Sequence, residues 1–330
     1  MFSSFYNSFY FLIFFSILLD ISILLKSYKI SKYLGTLDKP TIRKNHSKDT
    51  PVIFGILIIK NIFIYLIFNQ FSSYSFLFSI PILLFIIFGT FDDKKNINYK
   101  SNILFSCFII LLAIEFFPFL IIDKVNFYIF KTFYVNHIGL FLTVLCILFL
   151  LIVSNWFDGH NTFSAFYSFS IMFFLIYKKG FDNQISIFIL LVSLSILCFA
   201  YFNFKEKVFM GSGGIYPLSF IIGHQFLDLN YENRLYFEEI LSLCIIQIID
   251  FFVVIYKRLK SNKSIFLPDN TNHYHHILKS TSYNSRVVII FLHSVLGLCG
   301  AILVNYIYLF ILSNILFYIL NYIYFCKFKK

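Results

Sequence analysis

Residues 72–95 read SSYSFLFSIPILLFIIFGTFDDKK. The stretch from Ser72 to Phe91 carries no charge, and that length suits a helix crossing a hydrocarbon layer roughly 30 Å thick at about 1.5 Å per residue. Four charges then arrive together at Asp92, Asp93, Lys94 and Lys95. Ionised groups are costly within hydrocarbon, so this boundary marks a helix leaving lipid for water.

The same pattern repeats along the chain. Hydrophobic residues make up 59% and charged residues 13% of the 330 positions, more apolar surface than a soluble domain can hide. With roughly 20 apolar residues per span, helices are expected near 5–26, 52–70, 72–91, 102–122, 137–154, 160–177, 185–203, 215–228, 236–256, 286–303 and 305–325. The expected fold class is therefore all-α, a polytopic transmembrane bundle of about 10–11 spans forming one membrane domain over residues 1–330. The run from Val125 to Val135 is too short and mixed to span and is expected as an external hairpin. The first apolar stretch lacks a basic start and a small-x-small cleavage site, and Lys26, Lys29 and Lys32 follow it. It reads as an uncleaved first span. Six cysteines are scattered singly with no C-x-x-C, as expected of small core residues and not of disulfides or metal ligands.

Charge asymmetry sets the expected orientation. Of the 27 Lys and Arg residues, 21 fall on one set of alternate loops and the tail, and five on the other: Lys124, Lys131, Lys178, Lys179 and Arg234. Lys60 lies within a span. The positive-inside rule makes the rich side cytoplasmic, with the N-terminus outside and the C-terminus inside. The cytoplasmic loops are then 27–51, 92–101, 155–160, 204–214 and 257–285, and every polar island of the chain falls on that face. The net charge of +11 suits loops facing anionic lipid headgroups, and no nucleic-acid-binding pattern accompanies it.

Each island has a plain reading beside a chemical one. Asp92 and Asp93 either end a helix in water or share a hard cation such as Mg2+. Asn155-Trp156-Phe157-Asp158-Gly159-His160-Asn161 is either a helix-capping turn or a set of oxygens for a metal or nucleotide. The stretch from Asn203 through Lys207 to Gly211-Ser212-Gly213-Gly214 is either an ordinary connector or a loop whose amides approach an anion, with Lys207 meeting a phosphate. His273, His275 and His276 lie in the longest basic loop without a matching Cys/His set. They suit hydrogen bonding to phosphate or sugar better than zinc, or stand as solvated histidines.

Together and in order, the islands resemble the polyprenyl-phosphate N-acetylhexosamine-1-phosphate transferase family. Asp38-x-Pro40-x-x-Arg43-Lys44-x-His46 with Thr50-Pro51 and Gly55 resembles its first cytoplasmic loop, and Gly89-x-x-Asp92-Asp93 its acidic pair. Asn155-x-x-Asp158-Gly159, the stretch from Asn203 to Gly214, and His273-x-His275-His276 resemble the remaining motifs. Three positions depart from the pattern. Asn161 stands where many relatives have a second Asp, Phe54 replaces one glycine of a pair, and Ser212 occupies the place of an Asp implicated in Mg2+ binding.

The resemblance implies Mg2+-dependent transfer of a HexNAc-1-phosphate from a UDP-N-acetylhexosamine to undecaprenyl phosphate in the inner membrane, with release of UMP, as a first step of O-antigen, capsule or peptidoglycan assembly. It implies catalytic roles for Asp92, Asp93, His273, His275 and His276, and substrate contacts from Arg43, His46, Asn203, Lys207 and Asn161. Metal contacts fall to Asp92, Asp93, Asn155, Asp158 and Ser212. Two other classes compete. One is an impaired relative that binds lipid or nucleotide, which Ser212 suggests. The other is a secondary transporter, which needs coupling groups at mid-membrane, whereas Asp20, Lys60, Glu115 and Asp250 form no recognisable set in the sequence.

Overall fold

All eleven apolar segments fold as helices. A computed structural model describes residues 2–40, 48–158, 162–181, 184–262, 264 and 283–327. α1 (Phe2–Leu25) bends by 67° into α2 (Ser27–Leu34), and a two-residue ladder follows, β1 (Leu37–Asp38) antiparallel to β2 (Thr50–Pro51). Next come α3 (Phe54–Phe68), α4 (Ser73–Lys95) and α5 (Tyr99–Phe116). The expected hairpin is present as β3 (Lys124–Val125) paired with β4 (Phe133–Tyr134). α6 (Gly139–Phe157), α7 (Phe163–Lys179), α8 (Gln184–Phe204), α9 (Ser212–Tyr231) and α10 (Phe237–Lys260) precede α11 (Tyr283–Ile302) and α12 (Ile307–Lys327).

Among the described residues seven helices are long and apolar enough to cross a membrane, or eight if the bent α1–α2 pair is one span. The expectation of about 10–11 spans thus meets eleven long helices, of which fewer have spanning length and composition. α3 has 15 residues and α7 has 17, about 22–26 Å at 1.5 Å per residue against a hydrocarbon layer of roughly 30 Å. α9 is longer but carries His224, Gln225 and Asp228.

The chain divides into two compact units. The first comprises Met1–Phe116 and Leu175–Ile221. Within it α1 and α3 pack on α8, and α4 packs on α3 and α5. Phe54 meets Phe199 edge-on with ring centroids 5.0 Å apart, and Tyr65, Phe78 and Phe188 form a second aromatic group. α1 buries one stripe, Ser16, Asp20 and Leu24, at the spacing that keeps residues on one helix face.

Two charges expected inside spans, and left unconnected by the sequence, meet in this unit. Lys60 Nζ lies 2.7 Å from Asp20 Oδ1, and both side chains are buried. Lys60 also donates to Ser16 Oγ at 2.7 Å and to Ser195 Oγ at 3.3 Å. Ser195 Oγ donates to Asp20 Oδ2 at 2.8 Å and accepts from Asn61 Nδ2 at 2.9 Å. The pair forms because α1 and α3 lie on the same helix, α8, so positions far apart in sequence face one another.

The second unit comprises Phe117–Phe174 and Ile222–Lys330. α10, α11 and α12 pack mutually and α6 lies on α10. Phe157, Phe163, Tyr167, Ile246, Ile290, Tyr318 and Phe325 form a buried cluster. Where α11 crosses α10, a side chain at Gly297 would begin 2.7 Å from the Ser242 carbonyl oxygen, a close approach that small residues permit between membrane helices. His293 and Asn314 hydrogen-bond between α11 and α12. Asp250, a charge expected inside a span, accepts from the Tyr318 hydroxyl at 3.4 Å.

Candidate active site

In the first unit, the last turn of α4 meets the start of α9 backbone to backbone. A Cβ at Gly89 would lie 2.3 Å from the Ser212 carbonyl oxygen and 2.6 Å from Gly213 N, so only a hydrogen fits between the two helices. Gly211, with φ of 71°, supplies the left-handed turn that starts α9 at little steric cost. The chain before α3 runs alongside. Val52 pairs with Phe209, Phe209 N donates to Pro51 O at 2.8 Å, and Ser31 Oγ and Thr36 Oγ1 donate to Val52 O at 3.2 Å.

This packing gives the two adjacent carboxylates different work. Asp93 Oδ1 accepts from Ser212 N at 2.8 Å and Oδ2 from Gly213 N at 3.0 Å. The first turn of any helix has amides with no intrahelical partner and a partial positive charge, and Asp93 satisfies both needs of α9 from outside it. The amides of Gly214 and Ile215 go to Gly211 O. The anion that the glycine-rich turn approaches is therefore the chain's own Asp93.

Asp92 points elsewhere. Its Oδ2 accepts from the Tyr216 hydroxyl at 2.8 Å and from Asn102 Nδ2 at 3.4 Å, and its Oδ1 accepts from Ile97 N at 3.0 Å. Asn102 Nδ2 also donates to the Tyr216 hydroxyl at 2.6 Å. Asp92 is half-buried and Tyr216 is buried against Phe88, with ring centroids 6.0 Å apart. The Ser212 hydroxyl lies beside both Asp93 and Tyr216.

Asn203, expected to contact substrate, is buried and its Nδ2 donates to Val208 O at 2.7 Å, closing the turn after α8. Lys207 is exposed on that turn. Phe54, the departure in the first loop, fills the core.

In the second unit Asn155 and Trp156 lie in the last turn of α6, and Asp158 is its C-cap, with N–H donating to Ser154 O at 3.1 Å. Trp156 packs at a tilt on Phe251, with ring centroids 5.0 Å apart, and receives the Arg258 guanidinium 4.8 Å from its ring centre, within cation–π range. Arg43, His46, Asn161, His273, His275 and His276 lie outside the described residues.

Tyr216, Asn102 and Arg258 were not anticipated. Tyr216 sits one helical turn after Ser212, which is the signal that puts it on the same face. Asn102 and Arg258 have no local signal, since each is placed by packing between helices.

The match to glycosyl transferase family 4 covers residues 75–230. Over 296 residues the chain is 30% identical to the undecaprenyl-phosphate alpha-N-acetylglucosaminyl 1-phosphate transferase of Haemophilus influenzae, covering 83% of this chain and 80% of that protein. The chain belongs to this family of polyprenyl-phosphate sugar-1-phosphate transferases. The proteins of the same name from Escherichia coli K12 and Yersinia pestis are 24% and 23% identical, over 78% and 86% of this chain and 73% and 81% of their own lengths.

Family membership raises the question of Mg2+. Among the described residues no group of three or more His, Cys, Asp or Glu side chains is placed to hold an ion. A carboxylate has about four lone-pair sites. Asp93 spends two on amides and Asp92 spends three, one of them on the long Asn102 contact. Acceptor capacity therefore remains on both. That donor set fits Mg2+ in its common mode, held by one or two carboxylates and completed by substrate phosphates and water.

Proposed function

We propose that the protein transfers a HexNAc-1-phosphate from a UDP-N-acetylhexosamine to undecaprenyl phosphate, releasing UMP, at the cytoplasmic face of the inner membrane. The N-terminus is outside, the C-terminus inside, and the product begins a cell-envelope glycan of the O-antigen, capsule or peptidoglycan type. The observation that carries this reading is the fixed Asp92 carboxylate at the polar end of an apolar helix, held by donors from three directions. A membrane surface is where a soluble nucleotide sugar and a lipid-borne phosphate can meet, and the names of the relatives support both the acceptor and the N-acetylhexosamine.

In the proposed reaction an oxygen of the lipid phosphate forms a bond to the sugar-bearing phosphorus. The bond from that phosphorus to the bridging oxygen breaks, and UMP leaves with the electron pair. Such transfers depend on positioning and charge neutralisation more than on covalent help from the protein. Asp92, with Asp93 behind it, would hold Mg2+, which when bound offsets the negative charge of the pyrophosphate. Lys207 is free to swing toward a phosphate. By motif, Asn203 serves the nucleotide sugar by shaping its turn, Arg43 and His46 attend the lipid phosphate, and His273, His275, His276 and Asn161 attend phosphate or sugar. Asn155, Asp158 and Ser212 are assigned by motif to metal or nucleotide.

The test uses membranes containing the protein, labelled UDP-GlcNAc, undecaprenyl phosphate and Mg2+. Labelled lipid with matching UMP release is expected, and lipid lost on chelation. No labelled lipid, with the Haemophilus influenzae relative active alongside and other UDP-N-acetylhexosamines also inert, would reject the reading. A second reading has its own observation, the neutral Ser212 at the start of α9: an impaired relative that binds substrates without turnover. UDP binding by an inactive wild type, with transfer restored by Ser212→Asp, would select it.

A further inference from the structure

Asp92 and Asp93 are neighbours in sequence, yet the donors around them differ in kind. Asp93 is held by backbone amides that any sequence would supply at the start of α9. Asp92 Oδ2 is held by two side chains, Tyr216 from α9 and Asn102 from α5. The Tyr216 hydroxyl accepts from Asn102 and donates to Asp92, so the three groups form one directed chain of hydrogen bonds. Its ring is buried and stacked on Phe88, one helical turn before Asp92 on α4. The phenol therefore cannot swing away without disturbing the core, and the amide of Asn102 fixes which way its proton points.

We propose that Tyr216 and Asn102 are positioning residues for the transfer reaction: together they lock the Asp92 carboxylate by Oδ2, so that the remaining lone pair of Oδ1, whose only described partner is Ile97 N, is held out toward the reacting phosphates and their cation. This inference rests on the proposed transferase reading. It adds two residues that no motif of the chain contains. A carboxylate left to rotate would present either oxygen, and a site that must place a charged group within about 0.5 Å gains from removing that freedom. The neutral Ser212 gives the lock more weight here, because no third carboxylate stands at the start of α9 to share the work.

Tyr216→Phe removes the donor and keeps the ring on Phe88, and Asn102→Ala removes the second donor from a different helix. Hydrogen bonds to charged groups contribute about 1.5–3 kcal/mol, which converts to a fall in kcat of roughly 10- to 100-fold. We expect that fall in both variants, with KM for the UDP-sugar changed by less than about 3-fold and the melting temperature in detergent unchanged for Tyr216→Phe. In an Asp92→Asn background, Tyr216→Phe should lower the residual rate no further, since a residue acting through Asp92 loses its target. Binding of Mn2+ in the presence of UDP, followed by the free-ion electron paramagnetic resonance signal, should weaken in Tyr216→Phe in parallel with kcat. An active wild type whose Tyr216→Phe and Asn102→Ala variants keep full kcat overturns the inference alone. Independent, multiplicative losses with Asp92→Asn do the same. A wild type with no transfer activity overturns the parent reading and this one with it.

Discussion

The two units solve helix association by different chemistry. The first joins its helices through charges and exposed backbone: the Asp20–Lys60 pair with its serines, the Asp93 carboxylate on the amides of α9, and Gly89 against the Ser212 carbonyl. The second joins its helices through an aromatic and aliphatic cluster, a glycine crossing at Gly297, the His293–Asn314 bond and single charges met by aromatic side chains, Asp250 by Tyr318 and Arg258 by Trp156. Lipid is as apolar as leucine, so burying apolar side chains gives membrane helices little drive to associate, and packing and hydrogen bonds must do it. Packing tolerates small adjustments, whereas a carboxylate on two amides does not. The unit that carries the acidic pair uses the stricter device.

The contrast can be broken most severely at Lys60. Lys60→Met should leave Asp20 buried without its cation and destabilise the protein by about 3–5 kcal/mol, while Asp20→Leu with Lys60→Met together should recover most of the loss. Thermal unfolding in detergent, with yield from membranes, reads this. A double variant as unstable as the single would show that the pair is not what joins α1 to α3.

Gly89→Ala probes the backbone contact. One methyl group at 2.3 Å from a carbonyl oxygen must push α4 and α9 apart, at a cost of about 1–3 kcal/mol. Transfer should fall by more than the melting temperature suggests, because the movement reaches Asp93 and its two amides. Wild-type transfer from Gly89→Ala membranes would contradict that strictness.

The smallest effect is expected in the second unit. Asn314→Leu removes both bonds to His293 and leaves its ring nitrogen without that partner, at a cost of about 1–2 kcal/mol. Transfer should be unchanged. A loss as large as that of Lys60→Met would erase the distinction between the units.

Much of this was legible in the sequence. The eleven helices follow from apolar run length, and the end of α4 from the arrival of Asp92 and Asp93. Span length was less legible: at α3 the apolar Val52 and Ile53 lie before the helix, where Val52 pairs with Phe209, and α7 has 17 residues. The division of labour between Asp92 and Asp93 was not legible, since it depends on Ser212 and Gly213 about 120 positions away. Tyr216 was hidden within an apolar run that reads as core, which it also is. Asp20 and Lys60 looked like isolated charges because nothing local links α1 to α3. Arg43, His46, Asn161 and the three histidines rest on motif alone.

The Asp20–Lys60 pair also has a schedule. Asp20 is synthesised 40 residues before Lys60 and 175 before Ser195. At about 5–20 residues per second, the carboxylate waits roughly 2–8 s for its cation and some 9–35 s for its hydroxyl donor. An ionised side chain within a span is costly, and Asp20, near the end of α1, has its cation on α3 and its hydroxyl donor on α8. The order in which α1, α3 and α8 are synthesised is thus part of how their shared polar contact is reached.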